Sequence, residues 1–354
     1  MSKRHYIIPI FVPHEGCPHD CVFCNQNSIT GSSTKVDSNY AECIIEDYLK
    51  TIPESNRVLE VSFFGGTFTA INIEKQKELL KVAKHYKDIG AVDFIRLSTR
   101  PDYIDESILD NLKNYSVDII ELGVQSLDAE VLRKSARGHS ALDVEKASKL
   151  IKEFGFTLGH QIMLGLPGDT FEKDIETTRK VIGLKPDMCR IYPSLIIKDT
   201  PMERMYRTGV YKPYSLDEAV EIAKKVYGML LSNGIKVIRI GLQPTEEINE
   251  GGDIIAGPFH PAFRELVEGS ILNDIIVRNV PEDYEGTLEI RINSKDISKL
   301  YCNKKIFFND MKKQLKTSSI KIIQTELVDR GEITLYYQGI CKNMSIIEYL
   351  SHCY

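Results

Sequence analysis

Cys17-Pro18-His19-Asp20-Cys21-Val22-Phe23-Cys24 sets three thiols in a C-x3-C-x2-C pattern. It lies just past an apolar run, Tyr6-Ile7-Ile8-Pro9-Ile10-Phe11-Val12, that reads as a first strand. Three cysteines on a loop leaving a strand can converge on one soft metal centre. A closed zinc or iron–sulfur site takes four protein ligands, commonly from paired C-x2-C units. No fourth Cys or His follows at comparable spacing; Asn25, Gln26, Asn27 and Ser28 come next. A four-iron cube held by three cysteines keeps one iron open to a small molecule. Two other readings stand beside this one: three unrelated buried cysteines, or a zinc knuckle completed by His14 or His19.

Outward from the triad, short β-rich runs alternate with helical ones. A loop rich in Gly, Ser and Thr covers 29–36. Val58-Leu59-Glu60-Val61-Ser62-Phe63-Phe64 reads as a buried strand, and Phe94-Ile95-Arg96-Leu97-Ser98-Thr99 as another, stopped by Pro101. Further strands are expected over 119–124, 157–164, 188–193 and 236–242, and helices over 38–49, 73–86, 109–112, 142–154, 170–182 and 216–231. This rhythm means βαβ units and a parallel sheet. Six or so units predict an α/β fold, a partial (β/α)6 TIM-like barrel whose chemistry gathers at the C-terminal ends of the strands. Composition shifts after Leu242, with a polar stretch at 246–252 and a break at Gly257-Pro258-Phe259-His260-Pro261. The expected division is therefore a core over 1–245 and a small α+β extension over 246–354, with short strands at 288–292, 319–324 and 333–337.

At 354 residues, with 42% hydrophobic and 27% charged residues, the composition is that of an ordinary globular protein. A net charge of −5 gives no support for a surface that coats nucleic acid. No apolar run approaches a bilayer span, and the start lacks a hydrophobic signal core, so a cytoplasmic protein is expected. Eight cysteines in that setting serve metals or the core rather than disulfides. Cys43, Cys189, Cys302, Cys341 and Cys353 are scattered and read as small buried residues.

Polar residues collect where strands end. Gly65-Gly66-Thr67 would let a ligand approach the backbone closely. Ser98-Thr99-Arg100-Pro101-Asp102 places a guanidinium suited to a carboxylate near the same rim. Glu121-Leu122-Gly123-Val124-Gln125-Ser126 ends a strand with an acid and an amide able to meet an amine or ribose hydroxyls. A structural ion pair between Glu121 and Arg100 is the plainer alternative. Arg137-Gly138-His139 offers a second carboxylate clamp, and the strand bearing Met163 offers apolar packing for a flat ring. Arg190 and Tyr192, two apart on a strand, share a face. His260 reads as a turn residue.

With an aromatic before its last cysteine, the triad resembles the radical S-adenosylmethionine (SAM) superfamily. The order of Ser98–Asp102, Glu121–Ser126, Arg137–His139 and the run Ile191-Tyr192-Pro193-Ser194-Leu195-Ile196-Ile197-Lys198-Asp199-Thr200-Pro201 is similar to the catalytic third subunit of Elongator and its bacterial relatives. So is Arg207-Thr208-Gly209-Val210-Tyr211-Lys212-Pro213-Tyr214-Ser215, and the likeness covers about residues 5–245. It implies a 4Fe-4S cluster on Cys17, Cys21 and Cys24, with SAM surrounded by Gly65, Gly66, Thr67, Arg100, Glu121, Gln125, Arg137, Met163 and Tyr192. The implied activity is reductive cleavage of SAM to a 5′-deoxyadenosyl radical that abstracts a substrate hydrogen. Electrons would come from a reductant such as flavodoxin or ferredoxin, and tRNA is the implied substrate. Lys304, Lys305, Lys312, Lys313, Lys316 and Lys321, opposed only by Asp310, read either as a phosphate-binding face or as an ordinary solvated one.

The chain departs from that family in two places. Met163-Leu164 stands where a Met-Pro is usual, and the residues after the core are few for an acetyltransferase domain and lack an acetyl-CoA-type Gly-rich loop. Two alternatives remain. An oxygen-independent coproporphyrinogen oxidase shares the Gly-Gly-Thr motif but continues its cysteines two residues on, at the place of Gln26. A non-catalytic zinc-binding scaffold would use the triad alone.

Overall fold

The computed structural model describes residues 4–12, 17, 19–25, 36–244, 249 and 251–353. His14, nearly all of the 29–36 loop and most of the 246–252 stretch lie outside them. The elements, in order, are β1 (Arg4–Val12), α1 (Ser38–Thr51), β2 (Arg57–Gly65), α2 (Ile73–Asp88), β3 (Phe94–Thr99), α3 (Glu106–Asn114), β4 (Ile119–Gln125), α4 (Ala129–Lys134), α5 (Ala141–Glu153), β5 (Thr157–Leu164), α6 (Phe171–Leu184) and β6 (Met188–Pro193). They continue with β7 (Ile196–Ile197), α7 (Pro201–Arg207), α8 (Leu216–Ser232), β8 (Lys236–Ile240), β9 (Ile254–Ala256), α9 (Phe263–Asn279), β10 (Thr287–Ile292), α10 (Ile297–Leu300), α11 (Ile306–Gln314), β11 (Ser319–Gln324), β12 (Glu332–Tyr337), β13 (Ile340–Ser345) and α12 (Ile346–Cys353).

Seven parallel strands form one sheet in the order β1-β2-β3-β4-β5-β6-β8, an open half-barrel as expected. Successive side chains on a strand face opposite ways. Leu59, Val61 and Phe63 on β2, Ile95 and Leu97 on β3, and Ile120 and Leu122 on β4 lie at 0–1% exposure in the core. The alternate positions, Glu60, Ser62, Arg96, Glu121, Gln161 and Arg190, face the concave side. The crossover helices are delimited by local chemistry. Ser140 with Asp143 and Ser215 with Glu218 form capping boxes at α5 and α8, satisfying orphan N–H groups at each start.

The C-terminal sheet has the order β11-β10-β12-β13, with β10 parallel to β11 and antiparallel to β12. β12 and β13 are joined by Gln338-Gly339, both at positive φ, the two-residue turn whose twist suits a hairpin. One continuous apolar core runs from Ile8 on β1 to Leu350 on α12. Helix α8 links its two halves, burying Val220, Ile222, Ala223, Val226 and Leu230.

Three sequence expectations need correction. Helix α9 was not anticipated: no helix was expected over 263–279, where Gly269 has the Lys299 carbonyl and the Cys302 sulfur at the place of a Cβ. The glycine there permits close packing rather than ending the helix. Cys43 and Cys341 are exposed, and Cys302 and Cys353 half-buried, so only Cys189 is the fully buried thiol expected. Strand β8 stops at Ile240, because Gly241 takes φ +83°.

Candidate active site at the open end of the half-barrel

The cysteine loop is stitched across the C-terminal rim of the sheet. The Val22 N–H donates to the Ser135 carbonyl (3.1 Å), and the Met202 N–H donates to the Val22 carbonyl (2.9 Å). Val22 packs with Ile196, Met202 and Tyr211, while Phe23 and Tyr192 both pack against the cluster of Val131, Met163 and Leu166. The Cys24 N–H donates to the Cys21 carbonyl (3.0 Å), closing a tight turn between two of the thiols.

Two of the sulfurs meet polar partners from the rim. Cys17 Sγ lies 3.4 Å from Thr67 Oγ1. Cys21, which is buried, accepts from Arg137 Nη1 at 3.4 Å. Burial works against the charge on Arg137, and the Cys21 sulfur is the strongest influence sustaining it. Arg137 also donates through Nη2 to the Gly123 carbonyl (2.6 Å), and its buried Nε has no partner among the described residues. Among those residues no three His, Cys, Asp or Glu side chains are gathered so as to hold one metal ion. A four-iron cube takes its cysteines on different irons, so its ligands need not meet at a point as those of one zinc ion do. Soft sulfurs with N–H and O–H donors aimed at them suit such a cluster, because those hydrogen bonds stabilise thiolate charge.

Gly65 ends β2 at φ +106°, and the Gly66 N–H donates to the Val12 carbonyl (2.9 Å), joining the glycine turn to the strand that feeds the cysteine loop. Arg100 does not reach Glu121. Its Nε and Nη2 both hold Asp102 at 2.9 Å, and Nη2 also donates to the Arg137 carbonyl (2.6 Å). Its fork therefore fixes the loop that carries Arg137. Gln125 sits at φ +65° beside a register shift between β4 and β5, and its Oε1 accepts from Gln161 Nε2 at 3.3 Å. Met163 and Tyr192 are register partners on β5 and β6. His139 is neutral: burial, with Arg137 and Arg100 nearby, pushes it down to about 3, and Nε2–H donates to the Val124 carbonyl (3.2 Å).

Glu121, only 4% exposed, lies deeper than the rim. It accepts from Arg96 Nη1 (2.5 Å) and from Arg190 Nε (2.9 and 3.1 Å). Arg96 Nη2 in turn donates to Glu60 (2.7 Å), which also accepts from Ser62 and lies 3.3 Å from His5 Nε2. Arg190 Nη1 reaches the Tyr192 hydroxyl at 3.4 Å. Gly159 makes this possible, since a Cβ there would stand 2.8 Å from Glu121 Cγ. Glu60 and Arg96 were missed in the sequence. The available signal was one charge, alternating in sign, in each of four otherwise apolar strands.

Below the Gly165-Leu166-Pro167-Gly168 turn a carboxyl pair is buried. Asp174 Oδ2 accepts from the Tyr214 hydroxyl (3.0 Å), and no N–H or hydroxyl among the described residues reaches Asp169 Oδ2, whose neighbour is the Asp174 carboxyl. Burial pushes Asp169 up to about 6 and Asp174 well above the carboxylate range. An unfolded Asp titrates near ~3.9, so the folded chain holds extra protons above that pH, and stability falls as pH rises through about 6. We expect the urea midpoint of the wild type to drop between pH 5 and pH 8, and Asp174→Asn, whose amide can donate to Asp169, to flatten that slope. Parallel slopes in the two proteins would refute the shared proton.

Comparison with known proteins fits this geometry. Residues 11–181 match the radical SAM superfamily, and residues 186–272 match the radical SAM C-terminal domain. A tRNA uridine(34) acetyltransferase of Methanocaldococcus jannaschii is 29% identical over 255 residues, which is 61% of this chain and 47% of that protein. Human Elongator complex protein 3 is 32% identical over 204 residues, 52% of this chain and 37% of that one. The chain thus spans about half or less of the length of these relatives. The solved structure of Methanocaldococcus infernus Elp3, with its N-terminus deleted, aligns at a TM-score of 0.63 and 24% identity, covering 77% of this chain and 64% of that one. No helix among the described residues is long and apolar enough to cross a membrane. The chain belongs to the radical SAM superfamily of enzymes, with a core related to that of Elongator complex protein 3 and the tRNA uridine(34) acetyltransferases.

Proposed function

We propose that Cys17, Cys21 and Cys24 hold a 4Fe-4S cluster, that SAM binds beside it along the rim, and that the enzyme modifies a nucleoside of tRNA. The observation that carries this reading is the placement of the cysteine loop over the C-terminal strand ends, with Arg137 on Cys21 and Thr67 on Cys17. When bound, the cluster and SAM supply a carbon radical able to remove a hydrogen atom from substrate. The chain's own part is binding, orientation and exclusion of water. Gly65, Gly66 and Thr67 let a ligand lie against backbone. The unpartnered Nε of Arg137 is the cation available to a carboxylate, since Arg100 is committed to Asp102. Gln125, Met163 and Tyr192 line the adjoining rim, and Glu121 acts through Arg190 and Tyr192 rather than at the ligand.

The tRNA assignment draws on the relatives' named activity and on the exposed lysines Lys304, Lys305, Lys312, Lys313, Lys316 and Lys321 of the extension. A reductant such as flavodoxin or ferredoxin completes the system. The test is anaerobic. The protein is reconstituted with iron and sulfide, given SAM and dithionite, and assayed for 5′-deoxyadenosine by mass spectrometry. Product that disappears in Cys21→Ala is expected; a colourless, zinc-loaded protein without product would refute the cluster. Salt-dependent retention of tRNA on filters is expected as well, and its absence would refute the RNA assignment.

A further inference from the structure

Among the described residues, the concave side of the strands carries one more guanidinium than carboxylate. Glu60 and Glu121 are matched by Arg96, which bridges them, and by Arg190, which Glu121 chelates. Arg239 is the surplus. It is the register partner of Arg190, on β8, the last strand of the sheet. The residues that follow each of them, Ile191 and Ile240, are also partners and are both buried in the core, so Arg190 and Arg239 project together from the opposite, concave face. Arg239 is half-buried and makes no hydrogen bond or ion pair among the described residues.

Arg190 is already held for binding. It is 9% exposed, its Nε is fixed by Glu121, its Nη1 reaches Tyr192, and its guanidinium carbon lies 5.7 Å from the centre of the Phe64 ring. Nη2 has no protein partner among the described residues. Two adjacent guanidiniums, one preorganised and one without a counter-ion, repel each other unless an anion lies between them. Arginine forks match the oxygens of a phosphate or carboxylate.

We propose that Arg190 and Arg239 form an oxyanion site for the substrate, a specificity element separate from the cysteine rim. Gly123, Gln161, Arg190 and Arg239 make one row across four strands, β4 to β8. The row starts at the Gly123 carbonyl that Arg137 holds beside Cys21 and ends on β8, whose Val237 carbonyl accepts from Arg264 Nη1 of α9 at 3.4 Å. With neighbouring strands ~4.8 Å apart, the row places the anionic group about 10–14 Å from its cysteine end. The substrate thus carries a phosphate or carboxylate that is held away from the cysteine loop. This inference rests on the proposed reaction chamber, but its test does not require turnover.

Inorganic phosphate and succinate are titrated calorimetrically into the full chain, beside Arg239→Gln and Arg239→Lys. One of the two anions is expected to bind the wild type in the millimolar range, which identifies its source. Arg239→Gln weakens it tenfold or more, and Arg239→Lys retains part of the affinity. Because no carboxylate among the described residues pairs with Arg239, the urea midpoint of Arg239→Gln should equal or exceed that of the wild type, which separates lost binding from lost folding. Binding of neither anion, or equal binding by Arg239→Gln, overturns the proposal. Failure of 5′-deoxyadenosine formation in a protein that still shows this anion binding would count against the radical reaction alone.

Discussion

Replacing Glu121 by glutamine lowers the unfolding free energy by about 3–5 kcal/mol, the range for removing one partner of a buried ion pair. Glu121 is the carboxylate on which both Arg96 and Arg190 converge. Arg96 keeps Glu60 after the change, but Arg190 keeps no carboxylate. Burial works against the charge on Arg190, and Glu121, with Tyr192 beside it, more than offsets that, holding the guanidinium above its ordinary value. A glutamine of the same shape still accepts one hydrogen bond yet leaves a nearly buried cation uncompensated. Chemical denaturation measures the loss, and the double variant Glu121→Gln/Arg190→Met should be more stable than Glu121→Gln alone, since it removes the orphaned charge. If Glu121 were instead a direct contact to SAM, the single variant would keep its stability and lose only SAM affinity, which equilibrium dialysis would detect.

That network also shows where sequence reasoning stops. The strands were legible because a parallel sheet covered on both faces demands compact β-rich runs, and 94–99, 157–164 and 188–193 coincide with the observed strands. Sharing of a face by Arg190 and Tyr192 followed from the period of two and is borne out by their contact. Which charges pair across strands depends on register and shear, which no local pattern encodes. The sequence neighbourhood of Arg100 and Glu121 suggested a pair; register instead sets Ser98 beside Glu121, with Arg96 one step lower on the same concave face and Arg100 past the end of the strand. Helix α9 was not read from the sequence either: Gly269 in its middle is a poor helix former, and only the packing of Lys299 and Cys302 against it reveals its purpose. His260, read as a turn residue, does hold a turn, its Nδ1 accepting from the Ala262 N–H at 3.1 Å.

Gly65→Ala should destabilise the chain by about 2–4 kcal/mol, because two effects act at one position. The backbone at φ +106° is outside the region that an L side chain adopts readily. An added Cβ would also lie 3.0 Å from the Val12 carbonyl oxygen and 3.2 Å from its carbon. Those are backbone atoms of β1, whose pairing with β2 ends at Val12 and Gly65, so no side-chain rotation relieves the contact. Gly90 provides the control. It too has positive φ, at +75°, but no atom among the described residues lies within 4 Å of the place a Cβ would take. Alanine there costs about 1 kcal/mol from the backbone alone. The difference between the two variants isolates the contact with β1. Because β1 runs directly into the cysteine loop, Gly65→Ala should also lower the iron bound after anaerobic reconstitution, while Gly90→Ala leaves it at the wild-type level. Urea midpoints and iron-to-protein ratios of the two variants decide the matter. Equal midpoints would remove the steric argument, and equal iron content would show that the glycine turn does not position the cysteines.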